Sequence, residues 1–86
     1  MQKNNRQVVW ITGASSGIGA ALAKTYSHKG AKLLLTARNS KNLELTRSSL
    51  SAPELAEIYP ADVTSREDMS HLMDKFDSLE SFPDTI

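Results

Sequence analysis

A glycine-rich turn limits the folds open to this chain more than any other feature. The turn follows Val8–Thr12, a run of β-branched and aromatic residues typical of a strand buried on both faces. It reads Thr12-Gly13-Ala14-Ser15-Ser16-Gly17-Ile18-Gly19. From Gly17 to about Lys29, apolar positions then recur at helical spacing, namely Ile18, Ala21, Leu22, Thr25 and Tyr26. The pattern predicts a strand joined by a tight turn to an α-helix, which Gly30 would end in a left-handed conformation.

The segments that follow continue this alternation. Leu33–Ala37 and Leu55–Tyr59 are further strand-like runs, and Asp84-Thr85-Ile86 is similar to the start of another strand. A helix is predicted around Ser40–Ser49, with Leu43, Thr46 and Leu50 on its inner side. We predict an α/β fold, a Rossmann-like parallel sheet with flanking helices in the order β-α-β-α-β-α, which is the N-terminal half of a doubly wound fold.

The last predicted helix has the clearest start signal. Thr64-Ser65-Arg66-Glu67 fits a capping box, in which Thr64 accepts a bond from a free amide and Glu67 reaches back. An apolar stripe for core packing follows, formed by Met69, Leu72, Met73, Phe76 and Leu79.

The glycine-rich turn also carries chemistry. The first amides of a helix lack partners within the helix and lie at the positive end of its dipole, so they attract phosphate. Glycines let a pyrophosphate approach the backbone, and serine hydroxyls add donors. The alternative is a turn that only reverses the chain, but its place inside a βαβ unit favours a dinucleotide site. The predicted site residues are Gly13, Ser15, Ser16, Gly17, Ile18 and Gly19.

The spacing Thr-Gly-x-x-x-Gly-Ile-Gly resembles the cofactor motif of the short-chain dehydrogenase/reductase family. Arg38 at the end of the second strand and Asp62-Val63 after the third resemble that family too. The resemblance extends over essentially all 86 residues, but only over the family's N-terminal portion. It implies that Asp62 contacts the adenine amino group, with the backbone of Val63 beside the ring. From the residues alone, capping of the turn before the last helix is the better-supported role for Asp62.

The choice of cofactor depends on Arg38. Folds that bind NAD place an acidic residue roughly 20 positions past the glycines, on the ribose 2′-hydroxyl. No acidic residue occurs from Gly19 through Leu43. A guanidinium there pairs with the 2′-phosphate of NADP, so NADP is favoured over NAD, with Ser40 or Lys41 as possible helpers. The alternative is a solvated surface arginine, and the family's other basic residue for NADP is absent because Ser16 stands in its place.

The resemblance implies hydride transfer between a nicotinamide and an alcohol or carbonyl carbon, with a Tyr-x-x-x-Lys pair, a serine and an asparagine as machinery. Tyr26 is followed four residues later by Gly30, and Tyr59 by Val63, so no catalytic residue is assigned. We expect residues 1–86 to be a partial NAD(P)-binding domain of an NADP-dependent oxidoreductase, truncated before its catalytic half, inactive alone and meeting a small-molecule substrate only in a longer parent. The alternative is a non-catalytic nucleotide-binding or interaction module on the same half-fold.

Composition excludes several other classes. Ten basic residues balance ten acidic ones, which argues against nucleic-acid and membrane-surface partners. Without cysteine, and with His28 and His71 isolated and predicted to be solvated, no metal site is expected. A cytoplasmic location is predicted. With a strand order of 3-2-1-4, the first strand would lie in the middle of the sheet of a whole enzyme. We expect this chain to hold only three strands, so the outer edge of the first strand would be unpaired and could support self-association.

Overall fold

Parallel strands and helices alternate along the chain, which confirms the predicted fold class. The computed structural model describes residues 7–77 and 84–85, the last two by their backbone. Within these residues the sheet has the order β3-β2-β1-β4 and every strand pair is parallel. The elements are β1 (Val8–Thr12), α1 (Gly17–His28), β2 (Lys32–Thr36), α2 (Ser40–Ser48), a 3-10 turn (Pro53–Leu55), β3 (Ala56–Ile58), α3 (Arg66–Asp77) and β4 (Asp84–Thr85).

The strand register brings the ends of the first three strands to one edge of the sheet. β1 and β2 pair along their whole length, from Val8 opposite Lys32 to Thr12 opposite Thr36. The pairing of β2 with β3 extends past both strands, since the Ala61 N–H donates to the Ala37 carbonyl at 3.0 Å. The turns that follow these strands are therefore neighbours.

Apolar side chains fill both faces of the sheet. One face packs beneath α1 and α2 and includes Val9, Ile11, Leu33, Leu35 and Leu43. The other face packs beneath α3 and includes Trp10, Leu34, Ala61, Leu72 and Phe76. The Trp10 indole N–H donates to the Thr36 hydroxyl at 2.9 Å, and the Trp10 and Phe76 rings meet edge to face at 4.8 Å. Burial on both faces explains why β1 and β2 are continuously apolar.

The face that α1 buries differs from the predicted one. Ala23 and Ser27 are buried, and Leu22 and Tyr26 are partly buried, as expected for a core tyrosine. The prediction is wrong for three positions, which are exposed: Ile18 (80% exposed), Ala21 and Thr25. The cause is the close contact of Gly19 with the backbone of the first turn. This contact turns the small residues Gly19, Ala23 and Ser27, which share one face of α1, toward the sheet.

The start of α3 also differs from the prediction. The predicted box of Thr64 with Glu67 is wrong by one residue, because the Asp68 N–H donates to the Ser65 hydroxyl at 3.2 Å and the helix begins at Arg66. Thr64 does not cap the helix because both its N–H and its hydroxyl donate to the Asp62 carboxylate.

The buried stripe of α3 is narrower than predicted. Leu72 and Phe76 are buried and Met69 is partly buried, but Met73 is 45% exposed because it faces away from the sheet. Leu79 lies outside the described residues.

Three other predictions, on the second helix, on Gly30 and on the two histidines, agree with the structure. The inner side of the second helix is confirmed, since Leu43, Thr46 and Leu50 are buried. Gly30 has a φ of +84° directly after α1, as its capping role requires. His28 and His71 are exposed.

The outer edge of β1 is paired in part, so the prediction of an unpaired edge is wrong at Val9 and Trp10. Val9 and Trp10 pair with Asp84 and Thr85 of β4, because the predicted strand order places the next strand there. Self-association through this edge stays a prediction. No helix of the described part of the chain is long and apolar enough to cross a membrane.

Candidate functional site

A cleft of about 410 Å³ opens where the chain leaves β1, β2 and β3. Ligands of open α/β sheets bind at this edge, outside the carboxyl ends of the strands. The lining residues come from three turns, namely Gly13, Ser15, Ala37, Arg38, Asn39, Ala61, Asp62, Val63 and Thr64. We call this the strand-end cleft.

The turn after β1 has a backbone conformation that favours glycine at two positions. Gly13 and Gly17 have φ values of +65° and +58°, in the left-handed region. A Cβ added to Gly19 would lie 2.1 Å from the Gly13 carbonyl oxygen, so the first turn of α1 touches the loop backbone directly. The buried Ala14 fixes this loop to the sheet, because its N–H donates to the Thr36 carbonyl at 3.1 Å. The helix is thereby brought against the end of β1.

The N-terminus of α1 lacks the usual side-chain cap. Ser16 is the N-cap residue with extended backbone, yet its side chain accepts no bond from the helix amides. The first turn also contains no acidic residue. This end of the helix therefore keeps its positive dipole end unopposed by its own side chains.

Arg38 follows β2 and lines the strand-end cleft with an exposed side chain. Among residues 7–77, the ion pairs join Lys32 to Glu57 and Arg47 to Glu44, and Arg38 takes part in neither. The adjacent Asn39 caps α2, because its side chain accepts a bond from the Asn42 N–H at 3.1 Å. Arg38 thus lies just before a capped helix, and its guanidinium forms no ion pair among residues 7–77.

Asp62 follows β3 and lies opposite Arg38 in the cleft. Its Oδ1 accepts bonds from the Thr64 N–H at 2.9 Å and from the Thr64 hydroxyl at 2.6 Å. These bonds, and then the positive charge of Arg38, hold the pKa of Asp62 below its usual value, although partial desolvation acts against them. The turn-capping role predicted for Asp62 is confirmed, and contact with adenine stays a prediction.

The structure brings together five of the predicted site residues and separates four. Gly13, Ser15, Arg38, Asp62 and Val63 line the strand-end cleft, whereas Ser16, Gly17, Ile18 and Gly19 lie on the adjoining start of α1. Prediction from sequence missed the remaining lining residues, Ala37, Asn39, Ala61 and Thr64. Each of them is adjacent in sequence to Arg38, Asp62 or Val63, and that position was their signal.

Comparisons with known proteins agree with this architecture. An uncharacterized oxidoreductase of Staphylococcus epidermidis is 38% identical over 73 residues, which cover 85% of this chain and 31% of that protein. An 11-beta-hydroxysteroid dehydrogenase-like protein of Arabidopsis thaliana is 44% identical over 72 residues, covering 80% of this chain and 23% of the relative. The chain thus spans a third or less of the length of these relatives.

Solved structures and a family profile point the same way. A short-chain dehydrogenase from Sphingobium yanoikuyae in complex with NADPH has a TM-score of 0.76 and 32% identity, over 86% of this chain and 30% of that one. A metagenomic short-chain oxidoreductase in complex with NADP has a TM-score of 0.69 and 31% identity, over 80% of this chain and 32% of that one. The profile of the short chain dehydrogenase family matches residues 7–80, and the chain therefore belongs to the short-chain dehydrogenase family.

Proposed function

We propose that this chain binds NADP as the N-terminal dinucleotide-binding segment of an NADP-dependent oxidoreductase. The observation that carries the proposal is the exposed Arg38 in the strand-end cleft, which forms no ion pair among residues 7–77 and follows the strand where NAD-binding folds have a carboxylate. The NADP and NADPH complexes among the similar structures support this choice.

The first turn fits the pyrophosphate of a dinucleotide. Gly13 and Gly17 have open space where a Cβ would stand, so a ligand could approach their backbone closely. The uncapped start of α1 offers amides and a positive dipole end, and Ser15 lies in the cleft beside it. In this proposal Gly13, Ser15, Ser16, Gly17, Ile18 and Gly19 hold the phosphates.

The adenosine end fits the other side of the strand-end cleft. Arg38 would pair with the 2′-phosphate, Asp62 would accept a bond from the adenine amino group, and Val63 would lie beside the ring. Val63 is 49% exposed, which leaves an apolar surface for a base to cover. When bound, the nicotinamide supplies or accepts the hydride exchanged with an alcohol or carbonyl carbon. The chain's own contribution is to bind and orient the cofactor.

The test measures cofactor choice with adenosine fragments. The 86-residue chain is titrated with 2′,5′-ADP and with 5′-AMP while amide shifts are followed by NMR. A charge-assisted bond to an exposed arginine predicts about tenfold tighter binding of 2′,5′-ADP. Arg38→Ala is expected to remove this preference, while Arg66→Ala, which removes an exposed arginine outside the cleft, keeps it. Equal affinity for both ligands, or an Arg38→Ala variant with its preference intact, would refute the choice of NADP.

The alternative, a non-catalytic binding module, predicts the same nucleotide binding, and both proposals expect no turnover by this chain alone. Neither tyrosine has a lysine four residues later, so the chain alone is expected to leave NADPH unoxidised with any ketone or aldehyde. The measurement is the absorbance of the reduced nicotinamide over time. Oxidation above the protein-free rate would contradict this expectation. A cytoplasmic location stays a prediction from the sequence.

A further inference from the structure

Asp68 makes an unexpected contact at the start of α3. In a capping box, the acidic side chain three residues into the helix bonds back to the amide of the cap residue itself. Here the Asp68 N–H donates to the Ser65 hydroxyl, as in a box, but the Asp68 carboxylate does not return to Ser65. Its Oδ2 instead accepts the N–H of Asp62 at 3.0 Å, six residues back along the chain.

The bond between the Asp68 carboxylate and the Asp62 N–H is not needed to start α3. The Ser65 N–H, which a box carboxylate would normally bind, already donates to the Asp62 carbonyl at 2.9 Å. The Asp62 N–H lies just beyond the extended pairing of β2 with β3, which ends where the Ala61 N–H meets the Ala37 carbonyl. The bond to Asp68 therefore holds the backbone one residue beyond the last bond between β2 and β3, at a residue that lines the strand-end cleft.

The contact fixes Asp62 from a second side. Thr64 holds Oδ1 of Asp62 by two bonds, and Asp68 holds its N–H. No residue of the described part of the chain donates to Oδ2 of Asp62, so this oxygen is the one left to accept a bond from a ligand. Asp68 does not line the cleft, so it acts only through Asp62.

We propose that Asp68 is a positioning residue that sets the selectivity of the strand-end cleft for adenine, by holding Asp62 with its free carboxylate oxygen toward the base. The inference rests on the proposed function, because it assumes that the cleft takes the adenosine end of a dinucleotide. The selectivity concerns the exocyclic group of the purine. Adenine has an amino donor there, whereas hypoxanthine has a carbonyl acceptor that repels a carboxylate oxygen.

The test compares 2′,5′-ADP with its hypoxanthine counterpart on the 86-residue chain, by calorimetry. The wild-type chain is expected to prefer the adenine ligand. Asp68→Ala lowers this preference about threefold to tenfold, the range for one lost hydrogen bond, and speeds amide exchange at Asp62 in the free chain. Asp68→Asn keeps a carbonyl oxygen that can accept the Asp62 N–H, so it retains the preference.

Glu67→Ala is the matched control, because it removes an equal charge from the same helical turn and lies outside the cleft. It is expected to behave as wild type. If Asp68→Ala does not fold, Asp68→Ser, whose side chain is one bond shorter, replaces it with the same expectation. A wild-type chain that binds neither ligand overturns the proposed function and this inference together. Wild-type adenine preference that persists in Asp68→Ala overturns the inference alone, as does an equal loss in Glu67→Ala.

Discussion

Replacing Gly19 by alanine tests the close approach of α1 to the first turn. The added Cβ would lie 2.1 Å from the Gly13 carbonyl oxygen, 2.7 Å from its carbon and 3.1 Å from the Ala14 Cα. To reach 3.0 Å from that oxygen, helix and loop must separate by at least 0.9 Å. The obstacle is backbone, and Ala14 is fully buried and bonded to the end of β2, so little can yield.

The expected loss of stability follows from two opposing effects. Overpacking against a rigid neighbour costs about 3 kcal/mol, the upper part of its usual range. The better helix propensity of alanine restores up to about 1 kcal/mol. The net free energy of unfolding therefore falls by about 2 kcal/mol, and the melting temperature by about 8–16 °C for a domain of this size.

The assay is urea and thermal unfolding followed by far-UV circular dichroism. Gly17→Ala is the first control, because its Cβ meets open space and only the positive φ of +58° opposes it, at about 1–2 kcal/mol. Ala21→Gly is the second, because it changes propensity alone at an exposed site of the same helix. A Gly19→Ala chain that unfolds at or above the wild-type midpoint would show that the contact does not constrain the fold.

Three further predictions concern the core beneath α3. Thr36→Val removes the buried acceptor of the indole N–H, so the free energy of unfolding falls by about 1–3 kcal/mol in urea melts read by indole fluorescence. Phe76→Ala lowers it by about 3–5 kcal/mol, whereas Met73→Ala, at a 45% exposed site, changes it by less than about 0.5 kcal/mol; similar losses would contradict the burial assigned here. Burial, and then the bond to Glu57, raises the pKa of Tyr59 from 10.0 to about 12. The contribution of Tyr59 to the free energy of unfolding is therefore complete below pH 10 and is lost as the pH rises toward about 12. Tyr59→Phe removes this alkaline component from the stability profile, and identical profiles would count against the shifted pKa.

The order of elements and the location of the cleft could be predicted from sequence because both depend on strong local signals. Two continuous apolar runs identify β1 and β2, and glycines with positive φ mark the ends of the first turn and of α1. In a parallel sheet, the residues after each strand meet at one edge whatever their side chains are. Arg38 and Asp62 could therefore be assigned to the same edge without knowledge of their contacts.

The buried face of α1 could not be predicted in this way, because it is lined by small residues. Gly19, Ala23 and Ser27 are four residues apart and face the sheet, yet only one of them counts as apolar by its side chain. Ile18 has the larger hydrophobic side chain and is exposed. Close backbone contact, and not hydrophobicity, determines the orientation of this helix.

The cap of α3 was misassigned because residues 62–68 offer several equivalent polar pairs. Thr64 with Glu67, and Ser65 with Asp68, have the same spacing and the same chemistry. The second pair caps the helix because Asp62, two residues before Thr64, accepts bonds from the N–H and the hydroxyl of Thr64, which removes Thr64 as a cap. Both the Asx-type turn and the capping box are local patterns, and they compete for the same Thr64, so the pattern of the box alone does not identify the cap.

The first turns of α1 and α3, the two helices that begin near the strand-end cleft, differ in charge and capping. This difference favours one orientation for the dinucleotide of the proposed function. The first turn of α1 has no acidic residue and no side-chain cap, whereas that of α3 has Glu67 and Asp68 and is capped by Ser65. Carboxylates there neutralise the dipole of α3 and repel phosphate. For the proposed NADP complex, this difference favours the pyrophosphate at α1 and the uncharged base near Asp62. Because β2 lies between β1 and β3, Arg38 after β2 would then be placed to meet the 2′-phosphate.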